Sequence, residues 1–233
     1  MRVLITRPED DAREIAARLV ARGHEPVIAP LLAIHFFDGP EISLDDVQAI
    51  LATSANGVRA LARRAARRDV PVFAVGPQTA ETARAENFAS VRSADGDAET
   101  LAARAQAWSV PDKGVLLHAT GKDSQGKLAA SLTTAGYRVR VLELYEAVAA
   151  DALPMDAAQR LRDGTLDAVL FFSPRTGRIF RACCTAEGLE DPCARLTAIC
   201  ISAVTANALA PLAFGSVLIA AAPNQEALLA CLG

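Results

Sequence analysis

Residues 49–58 read AILATSANGV, and residues 168–177 read AVLFFSPRTG. In both, a short apolar run stops at a hydroxyl residue (Thr53-Ser54 and Ser173) and gives way to a helical pattern. A strand that ends in a hydroxyl and feeds a helix leaves the first backbone N–H groups of that helix without intrahelical partners. The same event occurring twice raises the question of a repeated unit.

On either side of these stretches the same order recurs. RVLITRP (2–8) is echoed by GVLLHATG (114–121), EPVIAPLLAI (25–34) by RVRVLELYEAV (138–148), VFAVGPQTAETA (72–83) by AICISAVTANAL (198–209), and ASVRSADGDAETLA (89–102) by GSVLIAAAPNQEALLA (215–230). The offset drifts from 112 residues (Val3 to Val115) to 126 (Phe73 to Ile199), so loops and helices differ in length while strand order is kept. Expected strands are 3–6, 26–34, 49–53, 72–75, 91–92, 115–118, 137–145, 168–172, 198–201 and 217–220. Most are short and apolar on both faces, as parallel strands covered by helices are. Between them the period changes. Ala12, Ile15, Ala16, Leu19 and Val20 mark one helix face, and Gly23 stands where that helix should end. Alternating strands and helices predict an α/β fold of two similar parallel-sheet domains, three-layered and flavodoxin-like.

Two extended segments, 26–37 and 137–149, are each roughly 40 Å long at ~3.3 Å per residue. That length lets them leave one domain, pair as a two-stranded ladder and enter the other. If the segments cross in this way, residues 1–31 join 150–233 in one domain and 38–143 form the other, with 32–37 and 144–149 as linker strands; domains that coincide with the repeats are the alternative.

Composition narrows the function. The 233 residues are 52% hydrophobic and 22% charged, with a net charge of −3, which gives no general attraction to nucleic acid or an anionic membrane. RRAARR (63–68) reads as the solvated continuation of the helix bearing Val58, Leu61, Ala62 and Ala65. The uncharged stretch 196–225 is divided by Asn207, Pro211 and Gly215 into strand, helix and strand, so it is not read as a membrane span. The apolar run Val3-Leu4-Ile5 is too short for a signal peptide, and a cytoplasmic protein is expected. Cys183, Cys184, Cys193, Cys200 and Cys231 form no metal-binding spacing and read as buried thiols. His24, His35 and His118 are scattered, and His118, inside a strand pattern, reads as a satisfied core histidine. VGPQTA lacks the spacing of a dinucleotide fingerprint.

In open parallel sheets, ligands collect at the carboxyl ends of strands. There stand Thr6-Arg7, Thr53-Ser54, Gly76 to Thr79, Gly121-Lys122, Ser173 to Arg175 and Ser202 to Thr205. Each loop presents backbone N–H groups beside a hydroxyl or glycine, an arrangement suited to anions and equally to ordinary helix capping. Tyr145, one of two tyrosines, ends an extended segment, and its hydroxyl is expected at a cleft or at a wet rim.

These motifs, taken in order over the whole chain, resemble uroporphyrinogen-III synthase. They are the opening VLITRP, P-x-L-x-I at 30–34, TSANGV, VGPQTA, a Gly-x-x-x-x-Gly-Lys-Leu loop from Gly121 to Leu128, LELYEAV, FFSPRTG and the late S-x-x-T-A-x-A-L. The resemblance implies closure of the linear tetrapyrrole hydroxymethylbilane, with loss of water and inversion of the fourth ring, by a cofactor-independent monomer with two domains around an open cleft. It carries Thr53, Ser54, Gly76, Thr79, Ser173 and Thr205 over as substrate-binding residues and Tyr145 as the catalytic hydroxyl. Arg7, Lys122 and Arg175 are added on charge, and Ser202 on its place before Thr205. Two positions depart from the family pattern: Asn56 stands where some relatives carry a basic residue, and Ser202 replaces a frequent glycine. The substrate's eight carboxylates suit helix N-termini. A phenol with an ordinary pKa of about 10 serves as a hydrogen-bond donor. The competing readings are a two-lobed module that binds a small anion without catalysis, and a racemase of two halves. The racemase requires a cysteine in each half, and none precedes Cys183.

Overall fold

The structure is a computed structural model that describes residues 1–124 and 126–233. In chain order the elements begin β1 (Arg2–Ile5), α1 (Glu9–Ala21), β2 (Glu25–Ile28), β3 (Leu32–Phe36), β4 (Val47–Ala52), α2 (Ala55–Ala62), β5 (Val72–Ala74), α3 (Pro77–Ala85), β6 (Val91–Ser93) and α4 (Ala98–Trp108). They continue with β7 (Val115–Gly121), α5 (Lys127–Thr134), β8 (Val139–Ala149), α6 (Met155–Arg162), β9 (Ala168–Phe171), α7 (Pro174–Glu187), α8 (Glu190–Cys193), β10 (Thr197–Cys200), α9 (Ala203–Asn207), β11 (Ser216–Ile219) and α10 (Gln225–Ala230). The chain divides into two compact units: Met1–Ala33 with Val148–Gly233, and Ile34–Ala147.

The first unit holds a five-stranded sheet in the order β11-β10-β9-β1-β2, parallel throughout. The second holds a six-stranded sheet, β3-β8-β7-β4-β5-β6, of which β8 through β6 run parallel. The sequence repeat equates β1 with β7, β2 with β8, β4 with β9, β5 with β10 and β6 with β11. Under that correspondence, β2-β1-β9-β10-β11 and β8-β7-β4-β5-β6 are one strand order. Each is the doubly wound order 2-1-3-4-5, and each sheet joins the first two strands of one repeat to the last three of the other.

Period-two alternation accounts for the two-sided cores. Along β4, Ile50 and Ala52 pack with α2 and α3 residues such as Val58, Leu61 and Ala83, while Ala49 and Leu51 pack with Leu101, Leu128 and Leu132 of α4 and α5. In the first unit, Leu4, Val169 and Phe171 pack with Phe180 and Leu161, and Val3, Ile5 and Leu170 pack with Ile15, Leu19 and Leu228. A one-residue slip of any central strand would exchange its two faces. Helix α1 begins with Glu9, Asp10 and Asp11, which complement its positive end, and Gly23 follows its C-cap at φ +78°.

Several expectations need correction. Segment 26–34 is two strands that belong to different sheets, β2 beside β1 and β3 beside β8; Ala29 and Leu31 make the last bonds to β1 and its end, at Ile5 and Thr6. Strand β8 runs from Val139 to Ala149 rather than from Tyr137; that tyrosine is buried and donates to the Gln106 and Ser109 carbonyls. Val20 is 61% exposed and lies off the buried face of α1. Strand β11, at the sheet edge, is exposed rather than covered by helices. Helix α2 stops at Ala62, so RRAARR is not its solvated face. Instead Arg63 stacks over Phe36, Arg68 over Phe88, Arg64 donates to the Pro40 carbonyl, and Arg67 pairs with Asp69 and Asp45. Among the described residues no helix is long and apolar enough to cross a membrane.

Candidate active site

In a sheet of order 2-1-3-4-5, the neighbouring strands 1 and 3 send their helices to opposite faces and leave a crevice at their carboxyl ends. In the second unit these strands are β7 and β4, and in the first β1 and β9. A hydroxyl bridges both pairs. Thr53, just past β4, places Oγ1 3.2 Å from His118 Nε2 on β7, and Thr6, just past β1, donates to the Leu170 carbonyl of β9 at 2.8 Å.

Four helices start in one way. The N-caps Ser54, Gly76, Ser173 and Ser202 all have extended backbone, and each helix that follows begins at the carboxyl end of a strand. The serine caps accept from the N–H three residues on: Ser54 from Gly57 at 3.0 Å, Ser173 from Thr176 at 3.2 Å and Ser202 from Thr205 at 3.3 Å. In α7 and α9 the threonine hydroxyl returns to the cap serine, at 2.7 and 3.1 Å. Gly76 offers no side chain, and a Cβ there would meet nothing within 4 Å, so the start of α3 is left open. Thr79 and Thr205 are buried behind these starts, at 6% and 0% exposure; neither presents a side chain at the surface.

Tyr145 joins the first of these starts. Its hydroxyl lies 2.9 Å from Ser54 Oγ, and its ring meets Phe36 edge-on at 6.5 Å between centroids. A Cβ on Gly121 would fall 2.8 Å from the Tyr145 ring, so the bare glycine is what lets the ring lie against β7. The cap, the tyrosine and the glycine are drawn together because β8 pairs with β7, Tyr145 opposite Gly121, and β7 with β4.

The charged candidates differ in their commitments. Lys122 is exposed and its Nζ lies 3.4 Å from Glu146. Arg7 is ion-paired with the buried Asp11 and lies over the Phe172 ring at 5.0 Å. Arg175 occupies the first turn of α7 beside Ser173 and is half-buried. The loop from Gly121 to Leu128 includes Gln125, which lies outside the described residues.

From the sequence His118 is read as a core histidine and Gly121 is named with Lys122 at a strand end, and neither is among the substrate-binding or catalytic residues assigned there. His118 is 2% exposed, and burial pushes its pKa down to about 4, so the imidazole is neutral at pH 7. It is not the fully satisfied core histidine expected: among the described residues its Nδ1 has no hydrogen-bond partner. Among the described residues no group of three histidine, cysteine or acidic side chains is placed to hold a metal ion. All five cysteines are free thiols, and four of them are buried.

The molecule is thus a doubly wound α/β protein whose hydroxyls and helix starts gather at strand ends, the place where such folds hold small molecules. The model of the family described as uroporphyrinogen-III synthase HemD matches residues 13–230. This chain belongs to that family, whose members act in tetrapyrrole synthesis on a small-molecule substrate. Among solved structures it is similar to uroporphyrinogen-III synthetase from Helicobacter pylori 26695, at 18% identity and TM-score 0.62, covering 100% of this chain and 98% of that one. It is also similar to a mutant uroporphyrinogen III synthase from Thermus thermophilus, at 19% identity and TM-score 0.51, covering 100% and 96%. At these identities the likeness speaks for the fold. No curated protein matches the sequence.

Proposed function

We propose that this enzyme closes hydroxymethylbilane to uroporphyrinogen III, removing one water and inverting ring D, which makes it a hydro-lyase. The observation that carries the reading is the pair of hydroxyls, Ser54 Oγ and Tyr145 OH, 2.9 Å apart at the start of α2. Loss of the substrate's terminal hydroxyl needs a hydrogen-bond donor at the departing oxygen, and Tyr145 is the catalytic residue assigned to that role. Ser54 fixes the direction of its hydroxyl. The rest of the task is orientation, because the azafulvene left behind closes readily and the enzyme has to select which carbon attacks.

Carboxylates are held by backbone N–H groups at helix starts. The substrate-binding residues assigned on this reading are Thr53, Ser54, Gly76, Thr79, Ser173, Ser202 and Thr205, with Lys122 and Arg175 as cations and Arg7 as one shared with Asp11. The chain is further inferred to be a cytoplasmic monomer that uses no cofactor and binds neither nucleic acid nor membrane. Its linker strands are taken as 32–37 and 144–149, between a domain of 1–31 with 150–233 and one of 38–143. Incubation with freshly generated hydroxymethylbilane, followed by isomer analysis, tests the reading.

A further inference from the structure

A neutral histidine carries one ring proton, and its position sets what the neighbouring groups must do. His118 lies on β7 opposite Leu51 of β4, almost wholly buried, with Nε2 3.2 Å from Thr53 Oγ1. Its Nδ1 is buried and, among the described residues, has no partner. A proton on Nδ1 would be an orphaned buried donor, whereas a proton on Nε2 is used in the bond to Thr53. Buried N–H groups are the polar groups least often left unpaired, so the Nε2–H tautomer is the one this geometry favours. Thr53 Oγ1 is then an acceptor toward His118, and its own proton has to be donated elsewhere.

The two repeats differ at this place. In the strand register the counterpart of His118 is Ile5, which lies opposite Leu170 of β9 as His118 lies opposite Leu51 of β4, and the counterpart of Thr53 is Phe172. The first unit therefore fills this strand position with a fully buried aliphatic side chain. The second unit instead keeps an imidazole with an unpaired nitrogen among Leu116, Leu117 and Ala119, where an aliphatic side chain would fill the strand position without a buried polar atom. A polar group retained against packing is the signature of a functional position.

We propose that His118 is a positioning residue: as the Nε2–H tautomer it donates to Thr53 Oγ1 and so turns the threonine hydroxyl into a dedicated donor for a carboxylate of the bound tetrapyrrole. This rests on the synthase reading above. The effect belongs to binding, since a donor to a distant carboxylate serves ground state and transition state alike.

The test is steady-state kinetics with hydroxymethylbilane on the wild type, His118→Leu, Thr53→Val and the double variant, with thermal unfolding of each. In His118→Leu, KM should rise about five- to tenfold, the worth of one hydrogen bond, with kcat within about twofold and Tm no lower than wild type. Thr53→Val, which probes the same bond should His118→Leu fail to fold, should raise KM by a similar factor, and the double variant should add little. His118→Gln, which keeps an N–H donor, should recover most of the affinity. Unchanged KM in an active single variant, or fully additive losses in the double, would overturn the inference while leaving the synthase reading intact. A wild-type enzyme that forms no type III isomer would instead overturn the synthase reading. The tautomer is then decided separately by ¹⁵N NMR of the labelled wild type. A protonated Nε2 beside a bare Nδ1 supports the assignment, and the reverse pattern contradicts it whatever the activity.

Discussion

The hydroxyl of Tyr145 lies 2.9 Å from Ser54 Oγ, and Ser54 Oγ also accepts the N–H of Gly57 at 3.0 Å. One serine therefore caps helix α2 and aims the tyrosine. Tyr145→Phe should lower kcat about 10- to 100-fold with KM changed less than threefold, because the lost donor acts mainly as the substrate hydroxyl departs. A raised KM with kcat unchanged would mark Tyr145 as a binding residue.

Ser54→Ala removes the cap and the aim together. It should cost about 1 kcal/mol of stability and lower kcat about tenfold. Ser54→Gly, which tolerates the cap position better, should restore most of the stability without restoring turnover. Denaturant unfolding alongside kinetics separates the two losses, and a Gly variant that recovers both would refute the aiming role.

Two glycines at the same strand ends should fail in different ways. At Gly57 an added Cβ meets the Ala119 carbonyl oxygen at 2.5 Å, a backbone atom that cannot swing aside, so Gly57→Ala should cost about 1–3 kcal/mol of stability. At Gly121 the added atom meets the Tyr145 ring, which can swing aside. Gly121→Ala should unfold within a few degrees of wild type yet lose about tenfold in kcat. Paired melting curves and rates check this, and a Gly121→Ala enzyme of full activity would show that the ring's seat is unimportant.

Burial of His118 also sets a pH dependence. Its pKa is about 4 in the folded chain against about 6.5 unfolded, so above pH 6.5 both states are neutral and the group contributes nothing. As pH falls from 6.5 toward 4 the unfolded chain takes up the proton first. Stability should then decline by roughly 1 kcal/mol per pH unit, to about 3 kcal/mol in total, and level off below pH 4. His118→Leu should lose this component of the acid slope. Urea unfolding of both proteins between pH 7 and 4 measures it, and parallel slopes would contradict the assignment.

What was readable in the sequence, and what was not, follows from the range of each interaction. The α/β class and the repeated strand order were legible because short strands apolar on both faces and helix periods are local. The helix starts were legible too, since Ser54, Ser173 and Ser202 sit three residues before the N–H they cap. The end of α2 was misread because Arg63 to Arg68 find their partners at Phe36, Pro40, Asp45 and Phe88, far along the chain. His118 looked like any core residue of a strand, since Thr53 is 65 positions away and only the β4–β7 pairing brings them together. Gly121 read only as part of a strand-end loop with Lys122, and its role as the seat of a ring was hidden for the same reason. Its partner Tyr145 is reached only through the β7–β8 register.

On the proposed reading this chain directs ring closure of hydroxymethylbilane. The most direct measurement is chromatographic separation of the uroporphyrinogen isomers, after oxidation, from hydroxymethylbilane incubated with purified protein. The type III isomer is expected as the dominant product, at a rate well above spontaneous closure. Formation of only the type I isomer, at the rate seen without protein, would contradict it.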